Sequence, residues 1–537
     1  MIEPKAPRGL FSAIRARGRA NASVVLLLVL LVGHALAASP ASAVKSVTIL
    51  YTNDFHAAVE PMKATWLVDQ PPIGGVRALS AWITMFRHTQ PNAFLFDSGD
   101  LYTGQAISFL TRGRALIDLW KAIGFDAVCL GNHEFDYGLD GAEAYMKGEP
   151  FPVLSANLFY RSSGEPFARP YAIVEKNGIK IGVIGIFGVD AVPSTNIHTW
   201  DTLEARDPIP ILRRLVPQLR KQVDLVVVLA HQGETGPMQS DAEAHPEVQR
   251  NFDADKATVA AVPGIDVFVG GHAHRGIEVP WVSPQTGSIV VQTYGRGTTL
   301  GVLELKVDIA HKKVIAHQGA LVRVMPGVFP VPAAVVQVTR VWEEKAMRAE
   351  KEVVARTAVP FPRDYDAESP LGDLLCDAML WKTGAQIAFS NAGGLRGDLP
   401  QGAITRGDLV SAFPFINTVV TMDLTGKQIR AILEQSLTLK VGMMQVAGIK
   451  ATYDLSRPEY QRLVSVESSG APLDDARTYH VVTNSFVAGG GDHYATFREG
   501  AHARDTGQLL SDLLYEYARE KKTLEAPAGG RLVPVAQ

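Results

Sequence analysis

The sequence predicts a two-domain protein with an N-terminal α/β domain and a separate C-terminal α+β domain. A chain of 537 residues is too long to fold around one hydrophobic core. From Lys45 onward, short apolar strands alternate with amphipathic helices, which is typical of a β/α domain. A long, highly charged helical pattern from about Pro332 to Arg356 precedes a second set of helices and strands. We therefore divide the chain into an export segment at 1–43, a first domain at 44–330, a solvated connecting helix at 331–356, a second domain at 357–528 and a loosely held Pro/Gly-rich tail at 529–537.

The first 43 residues have the pattern of an export signal. Five Lys and Arg residues precede an apolar segment at 23–38, and small residues follow it. Two small-x-small cleavage sites are present, Ala35-Leu36-Ala37 and Ala41-Ser42-Ala43. The apolar segment is short for a membrane-spanning helix, so cleavage is favoured over a permanent anchor. We therefore expect a periplasmic or secreted protein with no stable membrane span after cleavage.

Charge and cysteine content exclude several classes of protein. The formal net charge is -3, and removing the signal's excess of four positive charges leaves about -7. That balance argues against binding to a nucleic-acid polymer. Cys129 lies in an apolar run and Cys376 in a helical pattern, so we expect two small buried hydrophobic residues and no disulfide framework.

Five predicted strands of the first domain end in a short polar motif. Parallel strands of an open α/β sheet present their carboxyl ends at one edge, where ligands bind. The motifs are therefore expected to converge in the folded protein. The five groups are Asp54 with His56, Asp100, Asn132 with His133, His231, and His272 with His274.

The residue types in these motifs are those of a transition-metal site. Imidazoles combined with carboxylates suit zinc, manganese or iron better than calcium, which prefers oxygen ligands. Asp54 and His56 are two residues apart, which in an extended strand end would place both side chains on one face, and His272 repeats this spacing with His274. Asp100 is a natural bridging carboxylate. The sequence therefore predicts two metal ions that bind a phosphoryl oxygen and acidify a water.

In order and type, these motifs resemble those of the calcineurin-like metallophosphoesterases. Within that group the chain is similar to the secreted 5′-nucleotidase family, which includes UDP-sugar hydrolases and 2′,3′-cyclic nucleotide phosphodiesterases. The resemblance implies a β-sandwich flanked by helices and two divalent ions, zinc or manganese. It implies that one ion is held by Asp54, His56, Asp100 and His274. It implies that the other is held by Asp100, Asn132, His231 and His272. His133 would then stabilise developing charge or protonate the leaving group, with Asp136 orienting its ring.

The second domain resembles the substrate-binding domain of the same family. Asn391 and Arg396 lie in a glycine-rich loop that resembles the phosphate- and ribose-contacting loop, and an arginine fork suits phosphate oxygens. Phe415 and Phe486 resemble an aromatic clamp around a nucleobase, and Asp492 would accept a hydrogen bond from the sugar hydroxyls. Taken singly, either phenylalanine could belong to the core, but the neighbouring glycine-rich loops favour the clamp. A nucleotide is the substrate that this resemblance implies.

The sequence departs from the family pattern in two places. Tyr365 stands seven residues before Gly372, where many members have an arginine, and nearby Arg363 could bind substrate from a rearranged loop. His493 follows Asp492 where a glycine is common. Both departures leave the predicted metal ligands unchanged, and they leave open which phosphate ester is preferred.

The resulting hypothesis is an exported nucleotide phosphohydrolase in which a metal-bound hydroxide attacks phosphorus in line. One alternative is a thiosulfohydrolase-like enzyme that cleaves a sulfur conjugate, although a sulfonate would not need an aromatic clamp. The other is a non-catalytic nucleotide-binding surface protein, although such a protein would be expected to have lost metal ligands. The native metal, the preference among monoester, cyclic diester and pyrophosphate, the preferred base and the oligomeric state are left open.

Overall fold

A computed structural model describes residues 44–64, 67, 69–147, 150–194, 199–233, 252–415 and 417–535. The predicted export signal and both of its cleavage sites lie outside these residues. Within the described ranges, no helix combines the length and the hydrophobicity needed to cross a bilayer.

The first domain alternates strands with helices, as the sequence predicts from Lys45 onward. Its strands are β1 (Val44–Thr52), β2 (Met62–Lys63), β3 (Pro72–Ile73), β4 (Ala93–Asp97), β5 (Ala127–Cys129), β6 (Val153–Leu154), β7 (Leu158–Tyr160), β8 (Tyr171–Lys176), β9 (Ile179–Phe187), β10 (Leu203–Ala205), β11 (Leu225–His231), β12 (Val267–Val269), β13 (Trp281–Val282), β14 (Ile289–Val291), β15 (Thr299–Asp308) and β16 (Lys313–Arg323). Its α-helices are Val76–Thr89, Ala106–Thr111, Arg114–Ile123, Gly138–Met146, Thr199–Thr202, Pro208–Arg220 and Asp253–Ala261.

Two six-stranded sheets form a sandwich with helices on its outer faces. Their strand orders are β16-β15-β1-β4-β5-β6 and β13-β14-β12-β11-β9-β8. Ile49 of β1 packs in the apolar layer between the sheets, whereas its neighbour Leu50 packs against the outer helices. Both faces of β1 are covered from Val47 to Thr52, so these residues are all buried and do not alternate between buried and exposed. The β-sandwich flanked by helices that the sequence predicts is confirmed.

The topology brings the predicted polar motifs to one edge of the sandwich. Strands β1, β4 and β5 are parallel in the first sheet, and β9, β11 and β12 are parallel in the second. An isolated bridge between Gln232 and His272 extends the β11–β12 pairing to that edge. The carboxyl ends of the strands therefore meet where the two sheets adjoin.

The connecting helix is shorter and less solvated than the sequence predicts. It spans Ala333–Glu350, and residues 353–357 form strand β17 (Val353–Thr357) instead of continuing the helix to Arg356. A run rich in β-branched residues pairs here with strands of the second domain, so tertiary pairing overrides the helical pattern. One face of the helix also packs on the first domain, since Val335 is fully buried and Trp342 Nε1 donates to Asp118 Oδ2 at 3.0 Å.

The second domain is an α+β unit, as predicted. Its strands after β17 are β18 (Ile387–Ser390), β19 (Gly402–Thr405), β20 (Thr418–Thr425), β21 (Gln445–Ala447), β22 (Ile449–Tyr453), β23 (Leu463–Ser468), β24 (Ala471–Pro472), β25 (Thr478–Asn484), β26 (Ala501–Leu509), β27 (Thr523–Leu524) and β28 (Leu532–Pro534). Its α-helices are Pro370–Thr383, Arg406–Ala412, Gly426–Ser436, Ser485–Ala488 and Leu510–Lys521. Its main sheet has the order β21-β18-β25-β20-β26.

Two helices of the second domain begin with a capping side chain. Ser369 caps its helix by accepting from Gly372 N, and Thr425 with Gln428 forms a capping box. Cys376 is buried and free, as is Cys129 of the first domain, in agreement with their assignment as small hydrophobic residues.

The C-terminal tail is not loosely held, contrary to the prediction for residues 529–537. Strand β28 pairs in parallel with β22, and Leu532 is buried. Arg531 donates from Nη2 to Asp377 Oδ2 at 2.7 Å and from Nη1 to the Val446 carbonyl at 3.0 Å. The proline and glycine residues lie in the segment before strand β28. Arg531 and the buried Leu532 hold the strand itself in place.

Candidate metal centre

The seven predicted metal ligands come together in a buried cluster at the shared edge of the two sheets. All seven residues are at most 8% exposed. Ligand atoms lie within 4.8 Å of one another in one group formed by Asp54, His56 and His274, and in a second formed by Asp100, His231 and His272. A third group of the same kind, formed by His56, Asp100 and His133, connects these two and includes the histidine that the resemblance does not count as a ligand.

Asp100 lies between the two groups. Its Oδ2 is 3.2 Å from His231 Nε2 in the second group and 3.9 Å from His56 Nε2 in the first. Asn132 belongs with the second group, because its Oδ1 is 3.0 Å from His231 Nε2. In the first group, His274 Nε2 is 3.1 Å from Asp54 Oδ1. A single carboxylate in this position can contribute an oxygen to each of two ions.

The backbone that positions these ligands is not the extended strand end inferred from the sequence. Strand β1 ends at Thr52, and Asp54 and His56 follow with φ of 52° and 47°. Asp100, His272 and His274 also have positive φ, so these ligands lie in left-handed loop conformations. Such conformations are unfavourable for residues other than glycine and persist where the surrounding structure imposes them. A tight loop, and not a pleated strand, therefore brings the two side chains of each two-residue pair to the same site.

Several partners that sequence reasoning missed hold the ligands in orientation. His231 Nδ1 lies 2.8 Å from the Ser98 carbonyl, which leaves Nε2 directed at Asp100. Asn53 Nδ2 donates to Asp54 Oδ2 at 2.6 Å. The Glu134 carboxylate accepts from the backbone N–H groups of Asp100 at 3.1 Å and Leu101 at 2.7 Å. Glu134, which had no role in the sequence analysis, therefore fixes the loop that carries the bridging carboxylate.

Two imidazoles of the cluster are neutral, whereas a third is held protonated by a carboxylate. Burial lowers the pKa of His56 and of His272 to about 3, so each imidazole is neutral and can offer a lone pair. Burial would lower the pKa of His231, but Asp100 raises it to about 9, so a metal would have to displace a proton from its Nε2. Burial alone would raise the pKa of the Asp100 carboxyl, but His231 and His133 lower it well below its usual range. Buried carboxylates surrounded by imidazoles match the ligands of zinc and manganese, and buried charges in proteins are either paired or bind metals.

His133 lies at the open side of the cluster. Its Nδ1 is 3.0 Å from both carboxylate oxygens of Asp136, as the sequence predicts, and 2.9 Å from Thr103 Oγ1. Its Nε2 faces Asp100 Oδ2 at 4.0 Å. Burial would lower the pKa of His133, but the carboxylates of Asp136 and Asp100 raise it to about 10. With a side chain 25% exposed, His133 can be reached by a substrate, and a carboxylate holds its Nδ1 side.

The predicted substrate residues form a second cluster in the second domain. Asn391 Nδ2 donates to Asp492 Oδ2 at 2.7 Å. The Arg396 guanidinium carbon lies 5.3 Å from the centre of the Phe415 ring. Phe415 is 37% exposed and Phe486 45% exposed, so neither ring belongs to the core. The glycine-rich loop thus places an arginine beside an exposed aromatic ring, a combination suited to a phosphate joined to a base.

Phe415 and Phe486 emerge at the same end of the main sheet. Strands β20 and β25 are antiparallel with Val419 opposite Asn484, so the segment before β20 adjoins the segment after β25. Thr418 N donates to Ser485 Oγ at 3.0 Å and joins the two segments directly. The two phenylalanines therefore flank the same end of the main sheet.

The first departure from the family pattern also lies beside the substrate loop. Arg363 Nη1 donates to the Leu395 carbonyl at 3.2 Å, so its guanidinium is partly engaged with that loop. Tyr365 is 48% exposed, and its ring lies 4.0 Å from the position that a Cβ on Gly393 would occupy. Asp492 Oδ2 is 3.6 Å from the same position. Tyr365 and the Asp492 carboxylate therefore both lie near Gly393 of this loop.

Comparison with known proteins gives the class to which this fold and site belong. Residues 47–276 match the calcineurin-like phosphoesterase family, and residues 353–499 match the C-terminal domain of 5′-nucleotidases. The protein is accordingly a metal-dependent phosphoester hydrolase. It is 30% identical to a 5′-nucleotidase precursor from Thermus thermophilus, with a TM-score of 0.60 over 92% of this chain and 100% of that one. The chain belongs to the 5′-nucleotidase family.

Two further similarities bear on the substrate. A 5′-nucleotidase from Diplobatis ommata is 28% identical over 543 residues, which cover 90% of this chain and 89% of the relative. A sulfate thiohydrolase from Thermus thermophilus shares the fold, with a TM-score of 0.56 over 94% of this chain and 98% of that one, but is only 20% identical. The fold alone therefore does not separate phosphate esters from sulfur conjugates.

Proposed function

We propose that the protein is an exported two-metal phosphohydrolase that releases phosphate from nucleotides. The observation that carries this proposal is the position of Asp100, whose carboxylate lies between two groups of buried ligands. When bound, two divalent ions would withdraw charge from the phosphoryl oxygens and acidify a water for in-line attack. Asp54, His56, Asp100 and His274 would hold one ion. Asp100, Asn132, His231 and His272 would hold the other.

His133 would supply the proton for the leaving group. The Asp136 carboxylate holds the ring through Nδ1, so Nε2 is left free on the side that faces Asp100. As the bond between phosphorus and the ester oxygen breaks, that oxygen takes the electron pair and receives the Nε2 proton. Positioned proton donors of this kind accelerate a reaction by roughly 10²- to 10⁴-fold.

The second domain would select nucleotides. Arg396 would bind phosphate oxygens, Phe415 and Phe486 would stack on the base, and Asp492 with Asn391 would bind the sugar hydroxyls. Arg363 and Tyr365 would influence which phosphate ester fits, because both lie beside the substrate loop. Nucleoside 5′-monophosphates are the primary substrates on this reading, and UDP-sugars and 2′,3′-cyclic nucleotides are further candidates.

The aromatic pair favours this function over the thiosulfohydrolase alternative. Two exposed rings at one end of a sheet provide stacking surface for a base, whereas a sulfonate presents no flat face. The non-catalytic alternative would require lost ligands, but all seven positions hold competent side chains within the buried cluster.

A substrate panel tests the proposal. The purified protein, supplied with Mn²⁺ or Zn²⁺, would be assayed for phosphate release from AMP, UMP, UDP-glucose and 2′,3′-cyclic AMP, and for sulfate release from a thiosulfonate conjugate. We expect turnover of nucleoside monophosphates that depends on the added metal. Release of sulfate without release of phosphate would instead support the thiosulfohydrolase alternative.

Export is the remaining part of the proposal. The basic, apolar and small-residue segments within 1–43 support secretion or transfer to the periplasm. The N-terminal sequence of the mature protein would locate the cleavage site, and retention of residue 1 on the exported protein would contradict removal of the signal.

A further inference from the structure

Thr103 lies in the loop that follows the bridging carboxylate Asp100. Its φ is 57°, a left-handed conformation that is exceptional for a β-branched residue. Its neighbour Gly104 passes so close to the His56 carbonyl that a Cβ there would lie 2.0 Å from the oxygen. The loop is therefore pressed against the metal cluster, and the strained conformation of Thr103 directs its side chain towards His133.

The Thr103 hydroxyl contacts both members of the His133–Asp136 pair. Its Oγ1 lies 2.9 Å from His133 Nδ1, and it makes a short hydrogen bond to Asp136 Oδ2. An ionised carboxylate only accepts hydrogen bonds, so the hydroxyl proton is directed to Asp136. The hydroxyl oxygen then has only lone pairs to offer to Nδ1, which must carry a proton to complete the contact.

We propose that Thr103 is a positioning residue that holds the ring of His133 by its Nδ1 edge, with Nε2 facing Asp100 at the open side of the cluster. Asp136 contacts Nδ1 through both carboxylate oxygens, and the Thr103 hydroxyl adds an acceptor from a different loop. This third oxygen restricts tilting of the ring relative to the carboxylate. The inference rests on the proposed role of His133 as proton donor.

The consequence for the reaction is specific to the leaving group. A water oxygen forms a bond to phosphorus while the bond from phosphorus to the ester oxygen breaks. The ester oxygen takes the electron pair and the Nε2 proton, the attacking water loses its proton to solvent, and His133 is reprotonated from solvent. A nucleoside alkoxide needs this proton, whereas p-nitrophenolate departs without it.

The same loop also links the proton donor to the metal cluster. Asp100 and Thr103 are three residues apart in one loop, and the backbone N–H of His133 donates to Asp100 Oδ1 at 2.9 Å. The position of the bridging carboxylate and the position of the imidazole are therefore set by one short segment of chain. Thr103 supplies the side-chain part of that connection.

The test compares Thr103→Val, which removes the hydroxyl and keeps the shape, with Thr103→Ser, which keeps the hydroxyl. Each variant would be assayed on AMP and on p-nitrophenyl phosphate, with bound metal and thermal unfolding measured in parallel. We expect Thr103→Val to lower kcat for AMP by about 10- to 100-fold, with little change in KM and less than about a threefold loss on p-nitrophenyl phosphate. Thr103→Ser should recover most of the AMP rate. Thr89→Val, which removes an exposed hydroxyl that donates to the Met85 and Phe86 carbonyls of its own helix, should change neither rate.

His133→Asn separates failure of this inference from failure of the proposed function. If His133→Asn lowers kcat equally on both substrates, the proton-donor role of His133 is wrong and the inference about Thr103 is wrong with it. If His133→Asn lowers kcat selectively for AMP but Thr103→Val does not, the role of His133 stands and the role of Thr103 is wrong. Equal loss of both substrates in Thr103→Val together with lost metal would show that Thr103 only supports the metal loop, which would also overturn the inference.

Discussion

His231 Nε2 lies 3.2 Å from Asp100 Oδ2, and this contact joins the two sheets of the first domain. His231 ends β11 of one sheet, and Asp100 follows β4 of the other. Both side chains are almost completely buried. A close imidazole–carboxylate pair between two sheets gives a metal ion a ligand from each, so the metal site and the closure of the sandwich depend on the same residues.

Asp100→Asn should abolish hydrolysis. The asparagine amide can supply only one neutral oxygen. Each of the two ions that would share the Asp100 carboxylate would therefore lose a charged ligand. We expect kcat/KM for AMP and for p-nitrophenyl phosphate to fall together by more than about 100-fold, with reduced bound metal. Asp253→Asn, a surface substitution, serves as the control. Full activity and normal metal content in Asp100→Asn would refute the two-metal proposal.

Chelation should remove both activity and stability. A ligand whose free concentration is 100 times its Kd stabilises the folded state by about 2.7 kcal/mol. Removing the metal should therefore lower Tm by several degrees. Calorimetry and activity would be measured after dialysis against EDTA and again after addition of Mn²⁺ or Zn²⁺. Recovery of both properties with one of these ions is expected. An unchanged Tm with full activity in the metal-free sample would argue against a metal centre.

Alanine at Phe415 or Phe486 should weaken nucleotide binding selectively. Stacking of one aromatic ring on a base contributes about 1–3 kcal/mol, so KM for AMP should rise by about tenfold or more. A substrate without a base, such as p-nitrophenyl phosphate, should be largely unaffected. Tyr171→Ala, at an exposed aromatic residue of the first domain, provides a matched control. Equal losses on both substrates would show that these rings do not bind the base.

Arg531→Met should destabilise the second domain, and more so at alkaline pH. Burial raises the pKa of Asp373 to about 8, and the nearby Arg531 guanidinium opposes that rise. Because the folded-state pKa is above the unfolded value, ionising Asp373 reduces stability as pH rises from about 4 to about 8. Removing Arg531 makes this ionisation harder still, so the loss should be about 2 kcal/mol or more at pH 8.5 and smaller at pH 5. Denaturant unfolding at the two pH values would measure it, with Arg348→Met as the exposed control. A pH-independent loss would contradict this account of Asp373.

The sequence predicted which polar side chains would cluster because chemistry and topology made the same prediction. Asp54, Asp100 and His231 each follow an apolar run, and parallel strands bring such ends together whatever the details of the loops. The loop geometry could not be predicted from the sequence, because positive φ at His56 and His272 is imposed by surrounding packing and not by residue type. The roles of Glu134 and Thr103 were also missed, since their partners lie about 30 residues away along the chain.

The errors in the fold have one physical origin. Strand β17 and strand β28 are short and acquire their structure from partners distant in sequence, β19 and β27 for the first and β22 for the second. Local pattern alone assigned one to a helix and the other to a loose tail. Segments of three to five residues carry too little periodicity to outweigh such pairing.

The pairing of Arg356 with Thr523 places the first strand of the second domain beside the segment that follows its last helix. Adjacent strands are about 4.8 Å apart, so the two segments share one short ladder. Fraying of the first strand would therefore also release the end of the last helix, and the amide hydrogens at both places should exchange with solvent together.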